Sequence, residues 1–152
     1  MRQPRASCRA ACRASPRHDG FAVTDEPGDA QIWFEGLHHV QLAIPAGAED
    51  ACRQFWRAVG LAEIVKPPVL AAGGGCWFRA GQLEVHCGVD SEFRPATKAH
   101  PGIHVGNLRA LAARLAEAHI TVDWDDNFPG YNRFYAADPV GNRLEFMEPI
   151  AT

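Results

Sequence analysis

Four side chains of the kind that hold divalent metals recur at one spacing. His39 and His100 lie 61 positions apart, and so do Glu84 and Glu145. Imidazole and carboxylate are borderline-to-hard donors that accept Ni²⁺, Co²⁺, Fe²⁺, Mn²⁺ or Zn²⁺ without choosing among them. Four such donors leave two positions of an octahedron for water or substrate oxygens. An ion held in this way polarises a carbonyl as a Lewis acid. A carboxylate beside it, Glu145 or Glu84, is placed to act as general base for a proton next to that carbonyl. The spacing does not choose between the two.

These residues need elements to carry them. "LHHVQLAIP" (37–45) reads as a strand, with Val40, Leu42 and Ile44 at period two, and "AEDACRQFWRAVG" (48–60) reads as a helix, with Cys52, Phe55, Trp56 and Val59 on one stripe. Three strands follow, "LAEIVKP", "CWFRAG" and "LEVHCGV", separated by Pro67-Pro68, Gly73-Gly74-Gly75 and Gly81. The second half repeats the order. "HPGIHVG" (100–106) is a strand, Asn107 caps the helix "LRALAARLAEAH", and "ITVDWDD", "RFYAAD" and "RLEFMEP" are strands. Each half is β-α-β-β-β, and an α+β fold of two such modules, 36–90 and 99–149, is expected. A single sheet covered on one face by a helix needs a partner for its other face. Two modules joined through their sheets would give a curved, half-open barrel around a concave metal site.

Alternation along the strands assigns faces. Val40, Leu42 and Ile44 pack, so His39, Gln41 and Ala43 face the concave side. Leu83, Val85 and Cys87 pack, leaving Glu84 and His86 opposite. Pro101, Ile103 and Val105 pack, leaving His100, Gly102 and His104; Leu144 and Phe146 pack, leaving Glu145 and Met147. His38 falls on the other face. His86 shares Glu84's face and is a substitute for it; a set of His39, His100 and Glu145 would match the two-His-one-carboxylate arrangement of non-haem iron oxygenases. Gln41, Trp77, Arg79, His104 and, in the loop "NFPGYNRFY", Tyr131 with Phe128 are the residues expected to contact substrate. Arg94, Lys98 and Arg133 are read as loop charges. Asp123, Asp125 and Asp126 lack the spacing of a calcium loop. Cys87, on the packed face, is no nucleophile.

The segments "GLHHVQLAIP…FWRAVGL", "LEVH", "KAHPGIHVGNLRALAARL" and above all "DPVGNRLEFMEP" resemble the glyoxalase/bleomycin-resistance/dioxygenase family, the vicinal oxygen chelate superfamily, across residues 36–149. The resemblance implies paired βαβββ modules around one divalent metal with open positions for neighbouring substrate oxygens. It places ligands at His39, His100, Glu84 and Glu145, and implies a homodimer. The expected activity is that of a metal-dependent lyase or isomerase on a small oxygen-rich molecule. Nothing in the chain matches glutathione-binding residues. The alternatives are a non-catalytic protein that sequesters a drug or metabolite, and a dioxygenase with a three-ligand iron site.

Composition narrows the partners. Hydrophobic residues make up 47% and charged residues 22% of 152, which is ordinary for a globular chain. Five arginines and no acid in residues 1–18 leave the remainder with 10 basic and 18 acidic side chains. That acidic body argues against nucleic acid, and no apolar run approaches the ~18 residues of a membrane span. Five cysteines at irregular spacing fit reduced thiols in a cytoplasmic protein rather than a disulfide framework. Residues 1–35 read as a disordered extension, Arg-rich and without the apolar stretch of a secretory signal.

Overall fold

The computed structural model describes residues 32–151, and its compact body starts at Leu37. Most of the N-terminal extension read from the sequence therefore lies outside the described residues. Within the body the first module runs β1 (Val40–Ile44), α1 (Glu49–Val59), β2 (Ala62–Ile64), a single turn α2 (Pro68–Ala71), β3 (Cys76–Ala80) and β4 (Leu83–Val89). The second runs β5 (Gly102–His104), α3 (Leu108–Glu117), β6 (Asp123–Asp125), β7 (Tyr131–Ala137) and β8 (Arg143–Pro149).

Local chemistry accounts for the boundaries. Glu49 and Asp50 occupy the first turn of α1, where the helix dipole favours anions. Gly60, at φ +114°, ends α1 and donates its N–H to Trp56 O at 3.0 Å. The side chain of Asn107 accepts from the Ala110 N–H at 3.0 Å and starts α3, a cap worth about 1 kcal/mol. β2 stops well short of Pro67-Pro68, and Pro68 instead opens the turn α2, which the strand reading had missed. Gly75 (φ +78°) runs against the Cys87 carbonyl so closely that any side chain there would collide with it. Its N–H bonds Glu49 Oε1 at 3.1 Å, which holds that carboxyl below its ordinary range.

Each module forms its own four-stranded sheet, in the orders β1-β4-β3-β2 and β5-β8-β7-β6. In each, the first strand runs parallel to the last and the remaining pairs are antiparallel. The α+β fold of two unclosed, curved βαβββ sheets follows.

The packed faces of both sheets enter one core. Leu42, Ile44, Phe78, Val85 and Cys87 come from the first sheet, and Ile103, Phe134, Leu144 and Phe146 from the second. Cys52, Phe55 and Trp56 of α1 and Leu108, Leu111 and Leu115 of α3 complete it. Burial of each large side chain contributes roughly 1.5–3 kcal/mol. Side chains alternate along a strand, so the opposite, polar face of each sheet turns away from this shared core. Asn142 ties the modules directly by donating from Nδ2 to Ala43 O at 2.8 Å. No helix among the described residues is long and apolar enough to cross a membrane.

Candidate functional site

On the first sheet, β4 carries Glu84 and His86 on the polar face, both buried. His86 Nε2 meets Glu84 Oε1 at 2.7 Å. Arg79, directly opposite Glu84 in the β3–β4 register, donates Nε to Glu84 Oε2 at 2.8 Å and adds a second bond from Nη2. His86 first, and then Arg79, hold the Glu84 carboxyl down at about 2, so it is ionised throughout the neutral range. Trp77, opposite His86, lies flat on the imidazole with centroids 3.7 Å apart and planes at 2°. His39 stacks on the other side of His86 at 4.1 Å. His38 joins this edge through a 3.0 Å Nδ1···Nδ1 contact with His39. Gln41 sits one step along the same face, its amide lying over Gly88.

On the second sheet, β8 presents the buried Glu145. Arg133 Nη1 donates to Glu145 Oε1 at 2.7 Å, and the same guanidinium grips Asp125 Oδ1 from Nη2 at 2.7 Å. The Asp125 carboxyl is held at about 2, by Asn127 first and then by Arg133. His100 Nε2 stands 3.3 Å from Glu145 Oε2. The other nitrogen, Nδ1, is 2.7 Å from Lys98 O. A carbonyl can only accept, so Nδ1 carries a proton, and Nε2 is the nitrogen turned toward the carboxylate oxygen. Gly102 faces Glu145 in the register, and a Cβ there would sit 3.4 Å from Oε2, so its absence leaves that oxygen approachable.

The strand pairing corrects one detail of the repeat. Val40 pairs with Val85, which puts His39 level with Glu84, whereas Gly102, two residues after His100, is the partner of Glu145. β5 begins only at Gly102, so His100 approaches Glu145 from the preceding loop. Tyr131, read as a loop residue, belongs to β7, where it pairs with Pro149. Arg133, the first residue of the strand read as "RFYAAD" although its charge was read as a loop charge, pairs with Met147 inside β7. Tyr131 packs against Phe128 at 5.1 Å and beside the exposed His104 at 5.7 Å. Cys87 is fully buried, and hydrogen bonds with Cys52 and then Cys76 push its thiol well above the ordinary range.

The candidate ligands thus form two half-sites, His39 with Glu84 and His86, and His100 with Glu145. Among the described residues no three His, Cys, Asp or Glu side chains are grouped so as to hold a metal ion. Sequence reasoning missed Tyr135, whose ring meets His100 edge-on at 5.5 Å, and Arg143, whose guanidinium stacks on Tyr135 at 3.8 Å. The alternation that pointed Glu145 outward points Arg143 to the same face and would have found it.

No family model and no curated protein matches the chain. Among solved structures, a glyoxalase family protein from Bacillus anthracis is 41% identical over 80% of this chain and 100% of that one, with a TM-score of 0.77. The chain belongs to the glyoxalase family. Two further structures share the glyoxalase fold at lower identity. Lactoylglutathione lyase from Agrobacterium tumefaciens has 22% identity and a TM-score of 0.55, over 76% of this chain and 96% of that one. The fosfomycin resistance protein FosX from Listeria monocytogenes has 12% identity and a TM-score of 0.60, over 77% and 95%. A lyase and a resistance protein thus share this fold, so in this glyoxalase-family chain the function turns on the residues of the two half-sites.

Proposed function

We propose that this glyoxalase-family protein is a divalent-metal-dependent lyase or isomerase of small oxygen-rich molecules. Its site joins the first half-site of one copy to the second half-site of another in a homodimer. The observation that carries the reading is the pair His100 and Glu145. His100 Nε2 and Glu145 Oε2 face each other at 3.3 Å, and the other His100 nitrogen is engaged at Lys98 O. One imidazole nitrogen and one carboxylate oxygen are thus presented side by side, a donor pair that suits a divalent ion. The donor set fits, with one histidine and one glutamate from each half: His39 and Glu84, and His100 and Glu145. His86 supports Glu84 and is the substitute ligand.

The polar faces of the two sheets turn away from one shared core, which favours completion of the site by a second copy over closure within one chain. Free thiols at Cys52, Cys76 and Cys87 suit a cytoplasmic setting.

A divalent ion held by these residues supplies Lewis-acid polarisation of two neighbouring substrate oxygens. The chain's own residues do the remainder. Arg133 fixes Oε1 of Glu145 and so orients the whole carboxyl, whose Oε2 is the oxygen turned toward His100 and the substrate side; Glu145 is the first candidate for the base. Glu84, held on both oxygens by His86 and Arg79, stays ionised and is the alternative base. Trp77, Gln41, Arg79, Tyr131 and His104 line the two faces and hold the substrate against these carboxylates.

Metal content decides the reading. Protein purified without chelators and then exposed in turn to Ni²⁺, Co²⁺, Mn²⁺, Fe²⁺ and Zn²⁺ should retain one ion per chain, and His100→Ala or Glu145→Gln should lose it. Wild type that takes up none of the five, while binding a small molecule tightly, would establish sequestration instead.

A further inference from the structure

Three arginines among the described residues are half-buried: Arg53, Arg133 and Arg143. Arg53 is gripped by Asp50 and Glu63, and Arg133 by Asp125 and Glu145. Arg143 has no carboxylate partner within 4 Å and no side-chain hydrogen bond among the described residues. A partly desolvated guanidinium without an anion is costly, so its position calls for an explanation.

Its geometry supplies one. The Arg143 guanidinium lies over the Tyr135 ring with its carbon 3.8 Å from the centroid. Stacking occupies the flat face of the group and fixes its plane, and the N–H donors along its edge stay free for a planar, two-pronged acceptor. Arg143 lines a cleft of about 470 Å³ together with Thr97, Asp123, Asp125 and Tyr135, and Asp125 is already paired with Arg133. Asp123 stands in that cleft without forming an ion pair to Arg143. The same Tyr135 ring touches His100 and is the strand partner of Glu145. Arg143 and Glu145 are two residues apart on one face of β8, on the order of 7 Å along the strand.

We propose that Arg143 is a specificity residue that binds an oxyanion, such as a carboxylate or phosphonate, of the substrate while Glu145 and His100 attend the chelating oxygens. The substrate class is then a small anion whose paired oxygens and charged group lie several bonds apart. The first sheet has Gln82 at the position matching Arg143 in the 61-residue repeat, so this arginine belongs to the second half-site alone. The proposal rests on the reading that Glu145 and His100 belong to the reaction site.

Two probes that differ only by a carboxylate test it: catechol and 3,4-dihydroxybenzoate, titrated into Co²⁺-loaded protein and followed in the cobalt absorption spectrum. Wild type should bind the carboxylated probe about tenfold more tightly, as one charge-assisted pair provides. Arg143→Met, which keeps a stem on Tyr135, should lose that preference and keep its catechol affinity; Arg143→Lys should retain part of it. A preference that survives in Arg143→Met overturns the proposal. In a second arm, benzoate is titrated into metal-free protein while the arginine Nε–H resonances are recorded. A saturable shift confined to Arg143 supports the subsite even where cobalt uptake fails, which would sink only the metal reading. An Arg143 resonance unmoved by benzoate in both metal-free and loaded protein overturns it.

Discussion

His86 Nε2 meets Glu84 Oε1 at 2.7 Å, and both side chains are buried. The bond makes His86 a support for the carboxylate, and the flat stack against Trp77 keeps its ring from turning. A support and a ligand respond differently to removal. His86→Ala should weaken Co²⁺ binding by roughly 10–100-fold, the usual cost of removing a partner that orients a ligand, and Glu84→Gln should abolish it. Titration of both variants followed by cobalt absorption checks this. Equal losses would make His86 a ligand in its own right.

A site shared between copies makes a distinctive genetic prediction. Glu84→Gln and Glu145→Gln damage different half-sites, so each variant alone should fail to bind metal. Mixed dimers of the two should contain one site with both lesions and one with none. Co-expressed with separate affinity tags and purified through both, the mixed species should recover about half of wild-type metal per dimer. If each chain builds its own site, every site carries a lesion and recovery stays at background.

The Glu84 carboxyl also sets an acid limit on stability. Its folded value is held at about 2 by His86 and then Arg79, below its ordinary 4.5. A carboxylate whose folded value is depressed contributes stability that is present in full above the ordinary value and is lost as pH falls toward the folded one. Metal-free wild type should therefore lose stability between about pH 4.5 and 2. Glu84→Gln should show a shallower decline in that window. Urea unfolding at a series of pH values measures the difference, and identical slopes would contradict it.

Alternation carried much of the site because β4 and β8 are seven-residue strands without interruption. Along them the faces of Glu84, His86, Glu145 and Arg143 follow from period two alone. The register of His100 did not follow. A two-residue slip between β1 and β5 preserves every face, so neither alternation nor the 61-residue offset can detect it. Tyr131 fell outside the expected strand because Gly130 and Asn132 disguise the start of β7, which is defined by its pairing with β8 rather than by its own composition. The joining of both packed faces into one core depends on α1 meeting α3, a choice between two burials that single-module patterns leave equal. The "DPVGN" segment was legible as a motif, but its physical task emerges only from contacts far apart in the chain.

That task falls on Asn142, 1% exposed. Its Nδ2 donates to Ala43 O and to Asp138 Oδ2, both at 2.8 Å, and its Oδ1 accepts from the Ala96 N–H at 3.0 Å. One side chain thereby links the turn before β8 to the end of β1 and to the loop that leads to His100. Asp138, pushed upward by burial but steadied by Asn142, depends on the same bonds. Asn142→Ala would leave the Ala43 carbonyl, the Ala96 N–H and one Asp138 oxygen without these partners in the interior. At about 1 kcal/mol or more for each stranded group, the loss should reach about 3 kcal/mol. Asn142→Asp tests the direction of the bonds. It preserves the acceptor for Ala96 but sets a carboxylate against Asp138 and the Ala43 carbonyl, so it should destabilise at least as much at neutral pH. Its deficit should shrink in mild acid as one of the paired carboxyls takes a proton. Denaturant melts of the three proteins at pH 7 and pH 5 measure both effects. A variant within 1 kcal/mol of wild type at pH 7 would show that the hairpin holds its place without this link.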